Sequence, residues 1–546
     1  MIMKSQPRAG QRQKRGVALL SVIGILLVLL VFAGGLIAQL DMETHSVRIE
    51  AMSNRALNAA DAGVHAMVEQ IQTNLALNLP PPGGAVTFTY PEPSGTPAST
   101  SYSATIDQTW PAGGLNYYLI TSTGTFNNGI EHIQRQVRAI AKSVPISSFA
   151  SFSNYEVNQF GKPVWYLPSQ HFDGPVYSGG PMRIAYATPP PSGTPSPIFG
   201  ASVVTLNTPV WNPGAPGSAN DWASVVNGGS GNFSIDKTAL SLPQPSNNIY
   251  VASEAWEGDG LNSFPTFPSV PAGVYMDGGA SKGADAVNAI GSSLTTGIFV
   301  NGGNSSVTIN SSSSGGTEKL VINGSGGNFA KGAYNVIINY GSTPCSGSTT
   351  VTQGSFSHTF TGTPCGAPGP GVTNTGNGAI YVENGNVVIG NPNATFQGDY
   401  TIVTPDFSGW SNNNITMLGS VQYDPATAST DKLALWANDV IINTAASNIT
   451  IDASIIAGYP GEKWNNGDFR NARCTATGCG TIDQGTLTLN GGLIENARGA
   501  VGEVLAGSQF GFSRIINFDS RFATSPPPFN PSTGALSIIA WEDLGS

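Results

Sequence analysis

Side chains able to do chemistry are sparse in this sequence and do not gather. Carboxylates that could serve as an acid–base pair occur at Asp277, Asp285, Glu383, Asp399, Asp406, Asp424, Asp431, Asp439 and Asp452. Cleaving a sugar chain needs two or more of them, or carboxylates with Arg or Lys, converging on one face. No tight local cluster forms, and an aspartate near a turn usually braces the backbone. The five histidines, His45, His65, His132, His171 and His358, are scattered. There is no G-x-S-x-G, H-E-x-x-H, phosphate-loop or EF-hand pattern. The sequence predicts a protein that is not an enzyme, with no cofactor and no metal site.

The four cysteines, Cys345, Cys365, Cys474 and Cys479, all lie in the second half of the chain. Zinc would ask for tighter pairs accompanied by histidine. Two local disulfides, Cys345–Cys365 and Cys474–Cys479, fit better and imply an oxidising compartment; four unpaired small hydrophobes are the alternative. Trp256, Trp410 and Trp464 stand in polar, loop-like surroundings, where an indole can stack on a sugar or a partner surface.

These residues belong to a 546-residue chain with only 10% charged residues, 68 Gly and 38 Pro. Ordinary soluble domains carry about 25% charged residues. With 40% hydrophobic residues the chain can still build real cores. Five basic residues (Lys4, Arg8, Arg12, Lys14 and Arg15) precede residue 16, and the remainder carries 18 basic against 33 acidic side chains. A body this acidic argues against binding nucleic acid.

Residues 17–40 contain no charge. As a helix they reach roughly 36 Å, enough to cross a bilayer core. The basic cluster should stay cytoplasmic, so the rest faces outward. A secretory signal has a shorter apolar region, about 7–15 residues, followed by a small-residue cleavage site; here no clean A-x-A follows. The helical pattern instead continues through Ile49, Met52, Ala56, Ala60, Val64, Met67, Ile71 and Leu75, one apolar stripe at spacings of three and four. It stops at Pro80-Pro81-Pro82-Gly83-Gly84. The expectation is one helix of about 60 residues, apolar all round in its first half and amphipathic in its second.

Arg15-Gly16-Val17-Ala18-Leu19-Leu20 after a short basic stretch resembles a class III prepilin leader, and Ala59-Ala60-Asp61-Ala62-Gly63-Val64 is similar to the box of X-type minor pilins. The resemblance spans about residues 12–75. It implies cleavage between Gly16 and Val17 by a prepilin peptidase, N-methylation of Val17, and passage from the inner membrane into a type IV pilus or a type II secretion pseudopilus alongside other pilin subunits. Most pilins carry Glu at the fifth mature position, where this chain has Ser21. That carboxylate neutralises a neighbour's terminal amine in the apolar filament core. Its absence favours a tip or priming subunit.

After the helix, Val86–Tyr90, Tyr102–Ile106 and Tyr117–Phe126 read as antiparallel strands, and Asn127-Asn128-Gly129 as a hairpin turn into a partner strand from Ile133 to Ala141. This sheet gives the helix stripe somewhere to be buried. From about residue 145 the texture changes to short apolar runs among Gly, Asn, Ser and Thr, among them Val307–Ile309, Val387–Ile389, Val440–Ile442 and Ile449–Ile451. Short strands separated by turn residues suggest a parallel β-helix; an array of β-sandwiches would give a similar texture. Phe172–Ser178, Leu433–Ile442, Gly492–Gly502 and Phe518–Phe522 resemble uncharacterised extracytoplasmic domains that accompany X-type pilin helices. Asp519 and Arg521 could pair to close the last coil.

The organisation expected is a basic leader (1–16), a membrane-spanning helix half (17–40), an amphipathic half (41–79), a small pilin-like sheet (80–144) and a β-helix-like domain (145–546). Together these describe a single-pass protein of the bacterial inner membrane whose bulk lies outside the cytoplasm and serves adhesion or structure. The competing reading is a signal-anchored cell-envelope protein whose β-helix binds or cleaves surface polysaccharide.

Overall fold

In the computed structural model, the structure describes residues 11–76, 81–90, 98–112, 115–168, 170–186, 198–236, 239–240, 242, 251–252, 255, 273–276, 293–294, 296–312, 319–324, 333–341, 346–366, 376–390, 393–404, 413–459, 466–505 and 508–545. A single helix α1 runs over Gln11–Ala76, and at about 1.5 Å per residue it is roughly 100 Å long. Four strands follow: β1 (Val86–Tyr90), β2 (Ser99–Ala112), β3 (Leu115–Asn127) and β4 (His132–Pro145). They pair in order, all antiparallel.

The expected stripe is what meets this sheet. Ala60, Val64, Met67 and Ile71 are buried, packed with Ala104, Tyr118, Ile120, Val137 and Ala139, and Met52 and Ala56 are buried with Phe126. Ile49, at the start of the stripe, remains exposed. The turn between β3 and β4 is pinned to the helix. Asn128 Nδ2 donates to Met52 Sδ (3.4 Å), and Arg48 reaches Glu131 (3.5 Å).

A fifth strand completes the sheet from far along the chain. Residues 532–545, which the sequence had grouped with the distal body, form the strand Ser532–Gly545 and pair antiparallel with β4. Trp541 Nε1 donates to Asp61 Oδ1 on the helix (3.1 Å), and Asp543 is ion-paired with Arg135, whose Nη1 also donates to Ser53 Oγ (2.8 Å). The local pattern at Ile538-Ile539-Ala540-Trp541-Glu542 suits either location, so only the long-range pairing decides.

Between β4 and this returning strand lies a large mixed β body. Its parallel ladders are in register, and one buried column threads them: Phe299 beside Tyr381, then Val403, Trp436, Ile456, Ile494, Phe152 and Tyr177. Burying β-branched and aromatic side chains on successive parallel strands supplies a core that no three-residue strand could build alone. Two pairs in the column stack face to face, Phe152 with Tyr177 (4.6 Å) and Phe299 with Tyr381 (5.4 Å). The order along the column is not the order along the chain. The layer at Ser151–Tyr155, just after β4, pairs with the late strand Asp483–Ala497 on one side and with Val176–Ser178 on the other. The chain therefore enters this column away from its ends.

Polar corners are laddered as well. Asn386 Oδ1 accepts from the Asn414 amide (3.1 Å), Asn414 Oδ1 from the Asp439 amide (3.2 Å), and Asp439 Oδ1 from the Gly467 amide (3.0 Å). Asn384 and Asn448 sit at φ 49° and 47°, the left-handed conformation asparagine tolerates better than most residues. An antiparallel meander interrupts the parallel pattern, running through Ile298–Ser312, Lys319–Gly324, Tyr334–Tyr340, Gly347–Gln353 and Phe356–Thr361. Its last pair, Gly347–Gln353 with Phe356–Thr361, is a hairpin joined through Gly347–Gln353 to Tyr334–Tyr340.

Candidate functional site

The feature most at odds with a free-standing soluble protein is the first half of α1. From Leu19 to Ile49 every large apolar side chain is exposed, and the helix is long and apolar enough to cross a membrane. Monomeric proteins rarely show water an apolar surface of this extent. The surface runs around the whole helix, and among the described residues no sheet covers it. Gly16 and Val17 lie within α1, and Ser21 lies on its exposed apolar portion.

The second half explains the Ala-Gly box in physical terms. A Cβ added at Gly124 of β3 would lie 1.9 Å from the Ala56 carbonyl oxygen and 2.4 Å from the Ala60 nitrogen. One added at Gly63 would lie 2.2 Å from Ser122 Oγ and 2.9 Å from Tyr102 Cδ2. Small residues on both elements let helix backbone rest almost directly on sheet backbone. The box aspartate, Asp61, accepts a hydrogen bond from the Trp541 indole N–H. The motif thus holds the helix to its sheet, leaving the apolar half projecting.

Of the carboxylates singled out by sequence, Asp399 and Asp424 lie near enough to Asp431 for it to feel both charges, and each described candidate is engaged. Asp399 pairs with Lys432 (2.9 Å). Asp431 accepts from the Gly398 amide (2.8 Å), and burial pushes its carboxyl up to about 6. Asp439 is the corner rung above and also pairs with Arg470 (2.8 Å). Asp452 accepts from the Tyr423 amide (3.0 Å), Asp424 from the Ala426 amide (2.9 Å) and Glu383 from the Tyr381 hydroxyl (3.0 Å). Asp277, Asp285 and Asp406 lie outside the described residues, as do Trp256, Trp410, Trp464 and Cys345. Cys474 and Cys479 are bonded to each other, and Cys365 is held in a disulfide. Arg521 grips Asp519 with two nitrogens (2.9 and 2.6 Å) and donates to the Ala428 carbonyl (2.9 Å), fastening the segment after the last parallel strand onto an earlier turn.

Sequence reasoning missed a buried charged group. Glu156 and Arg498 are each 1% exposed at the side chain and lie 3.4 Å apart. Glu156 Oε1 also accepts from Ser153 (2.6 Å), Ser178 (2.8 Å) and Tyr166 (3.1 Å). Arg514 and Glu495 are buried nearby in the same charge network. Burial raises the Glu495 carboxyl to about 7 against the pull of Arg514 and Arg498, and lowers Arg514 to about 10. No local signal marked it: two charges within Glu495-Asn496-Ala497-Arg498 are no denser than at Asp431-Lys432 or Glu542-Asp543.

No protein-family model matches the chain, and no curated protein does. Among solved structures, the competence-associated pilin ComZ from Thermus thermophilus aligns over 91% of this chain and 98% of its own, with 13% identity and a TM-score of 0.33.

Proposed function

We propose that this chain is a membrane-anchored, pilin-like subunit that carries a β-rich body outside the cytoplasm. The observation that carries the reading is the division of labour within α1: one half is docked on a small sheet through a Gly-Ala interface, the other is an uncovered apolar rod. Such a rod is stable in lipid or against similar rods. The basic residues before it favour a cytoplasmic N-terminal side.

In the finer form of the reading, a prepilin peptidase cuts between Gly16 and Val17, Val17 is N-methylated, and the rod then packs beside other pilin subunits of a type IV pilus or a type II secretion-like filament. Ser21 in place of a glutamate removes one registering charge, which suits a tip or priming position. The in-register parallel layers support reading the body as the coils of a β-helix used for adhesion or structure.

Co-expression with a prepilin peptidase tests the reading. The chain should shorten by 16 residues, and Gly16→Ala should block the cut. An intact chain in the presence of active peptidase refutes filament assembly and leaves a membrane anchor.

A further inference from the structure

A cavity of about 330 Å³ opens in the body between the Cys474–Cys479 loop, residues 162–167, residues 498–504 and residues 509–514. That is the small end of the range for ligand pockets, about 300–1,000 Å³. Two of its lining side chains are arginines taken out of water, Arg498 at 1% and Arg514 at 5% exposure. Arg498 meets Glu156 through Nη1, and its guanidinium lies over the Tyr166 ring at 3.6 Å. Arg514 donates through Nη2 to the Gly499 carbonyl (3.1 Å). Nε and Nη2 of Arg498, and Nε and Nη1 of Arg514, have no hydrogen-bond partner among the described residues. Glu495 does not saturate them: its Oε1 is taken by the amides of Phe469 and Gly499, both at 3.1 Å. Buried guanidinium groups left this open are costly, and their planar forks suit a carboxylate.

The rest of the wall adds to the same preference. Lys162 brings a further positive charge. Glu503, the acid in the described lining, has Oε1 committed to the Cys479 amide (2.5 Å). Gly478 sits at φ 132°, a left-handed backbone that favours glycine in this tight loop. Trp165, half-buried, supplies an aromatic surface beside the arginines.

We propose that this cavity binds an acidic sugar unit, a hexuronate, with its carboxylate on Arg514 and Arg498 and its ring beside Trp165. Leader processing has no bearing on this site, so the two proposals fail separately.

Calorimetric titration of the full-length protein in detergent with glucuronate, glucose, acetate and sulfate tests it. Glucuronate should bind saturably at one site. Glucose should bind at least about tenfold more weakly, because the buried charges then go unmatched, and acetate and sulfate should also bind more weakly. Arg514→Gln should lose at least about tenfold in glucuronate affinity. The exposed Lys162→Ala should lose severalfold with an unchanged melting temperature, which keeps the test decisive if Arg514→Gln fails to fold. Equal binding of glucose and glucuronate, sulfate or acetate binding as tightly as glucuronate, or no heat with any of them would overturn the proposal.

Discussion

Gly63 and Gly124 set how closely α1 lies on its sheet, and a single methyl group is enough to disturb that distance. Gly124→Ala should cost about 1–3 kcal/mol as the helix is pushed away, seen as an earlier urea midpoint for the helix–sheet unit. Glu156 offers a sharper test. Its carboxylate accepts three hydroxyl protons and faces Arg498, so Glu156→Gln strands a buried guanidinium and should cost about 3–5 kcal/mol, measured by chemical denaturation. Glu495 sets the pH response. Its carboxyl rises from the ordinary 4.5 to about 7 because it is buried. Between those values the folded protein holds a proton that the unfolded chain releases, so stability falls as pH rises across that window and levels off above it. Glu495→Gln should remove that part of the slope, and equal slopes in the two proteins between about pH 5 and about pH 8 would refute the assignment.

At the scale of elements, what could be read from sequence was what depends on near neighbours. The helix followed from a stripe at spacings of three and four, the strands β1 to β4 from alternation, and the Ala-Gly box only from its resemblance to that of minor pilins. Val440–Ile442 and Ile449–Ile451 were legible as short apolar runs. Their stacking order was not, because parallel register is fixed by partners that no local pattern encodes. Glu156 and Arg498 are 342 residues apart, and each alone is an unremarkable charge in sequence. Asp439 was one candidate carboxylate among nine, and its place in a corner ladder depends on Asn414 and Gly467 in adjoining layers. The returning strand was invisible for the same reason. Removing residues 532–545 should open the β4 edge and take Trp541 from Asp61 and Asp543 from Arg135. Limited proteolysis should then cut β4 and the second half of α1 before the body, whereas an unchanged digestion pattern would show that the strand is dispensable.

For the molecule as a whole, the uncovered apolar half of α1 outweighs every other surface. The full chain should stay with membranes through alkaline carbonate extraction, and deletion of 17–40 should release the body in soluble form. Recovery of the full chain in the soluble fraction would contradict the anchor. The body meets its carrier through two adjacent passages, β4 going in and Ser532–Gly545 coming back. Arg135 and Asp543, which tie those passages together, are 408 residues apart. At synthesis rates of about 5–20 residues per second, roughly 20–80 s separate the appearance of one from that of the other. Throughout that interval the rod is already in place beside a cradle lacking one wall. A copy whose translation stalls part-way keeps that gap, so the finished cradle is itself a mark that the cargo behind it has been made.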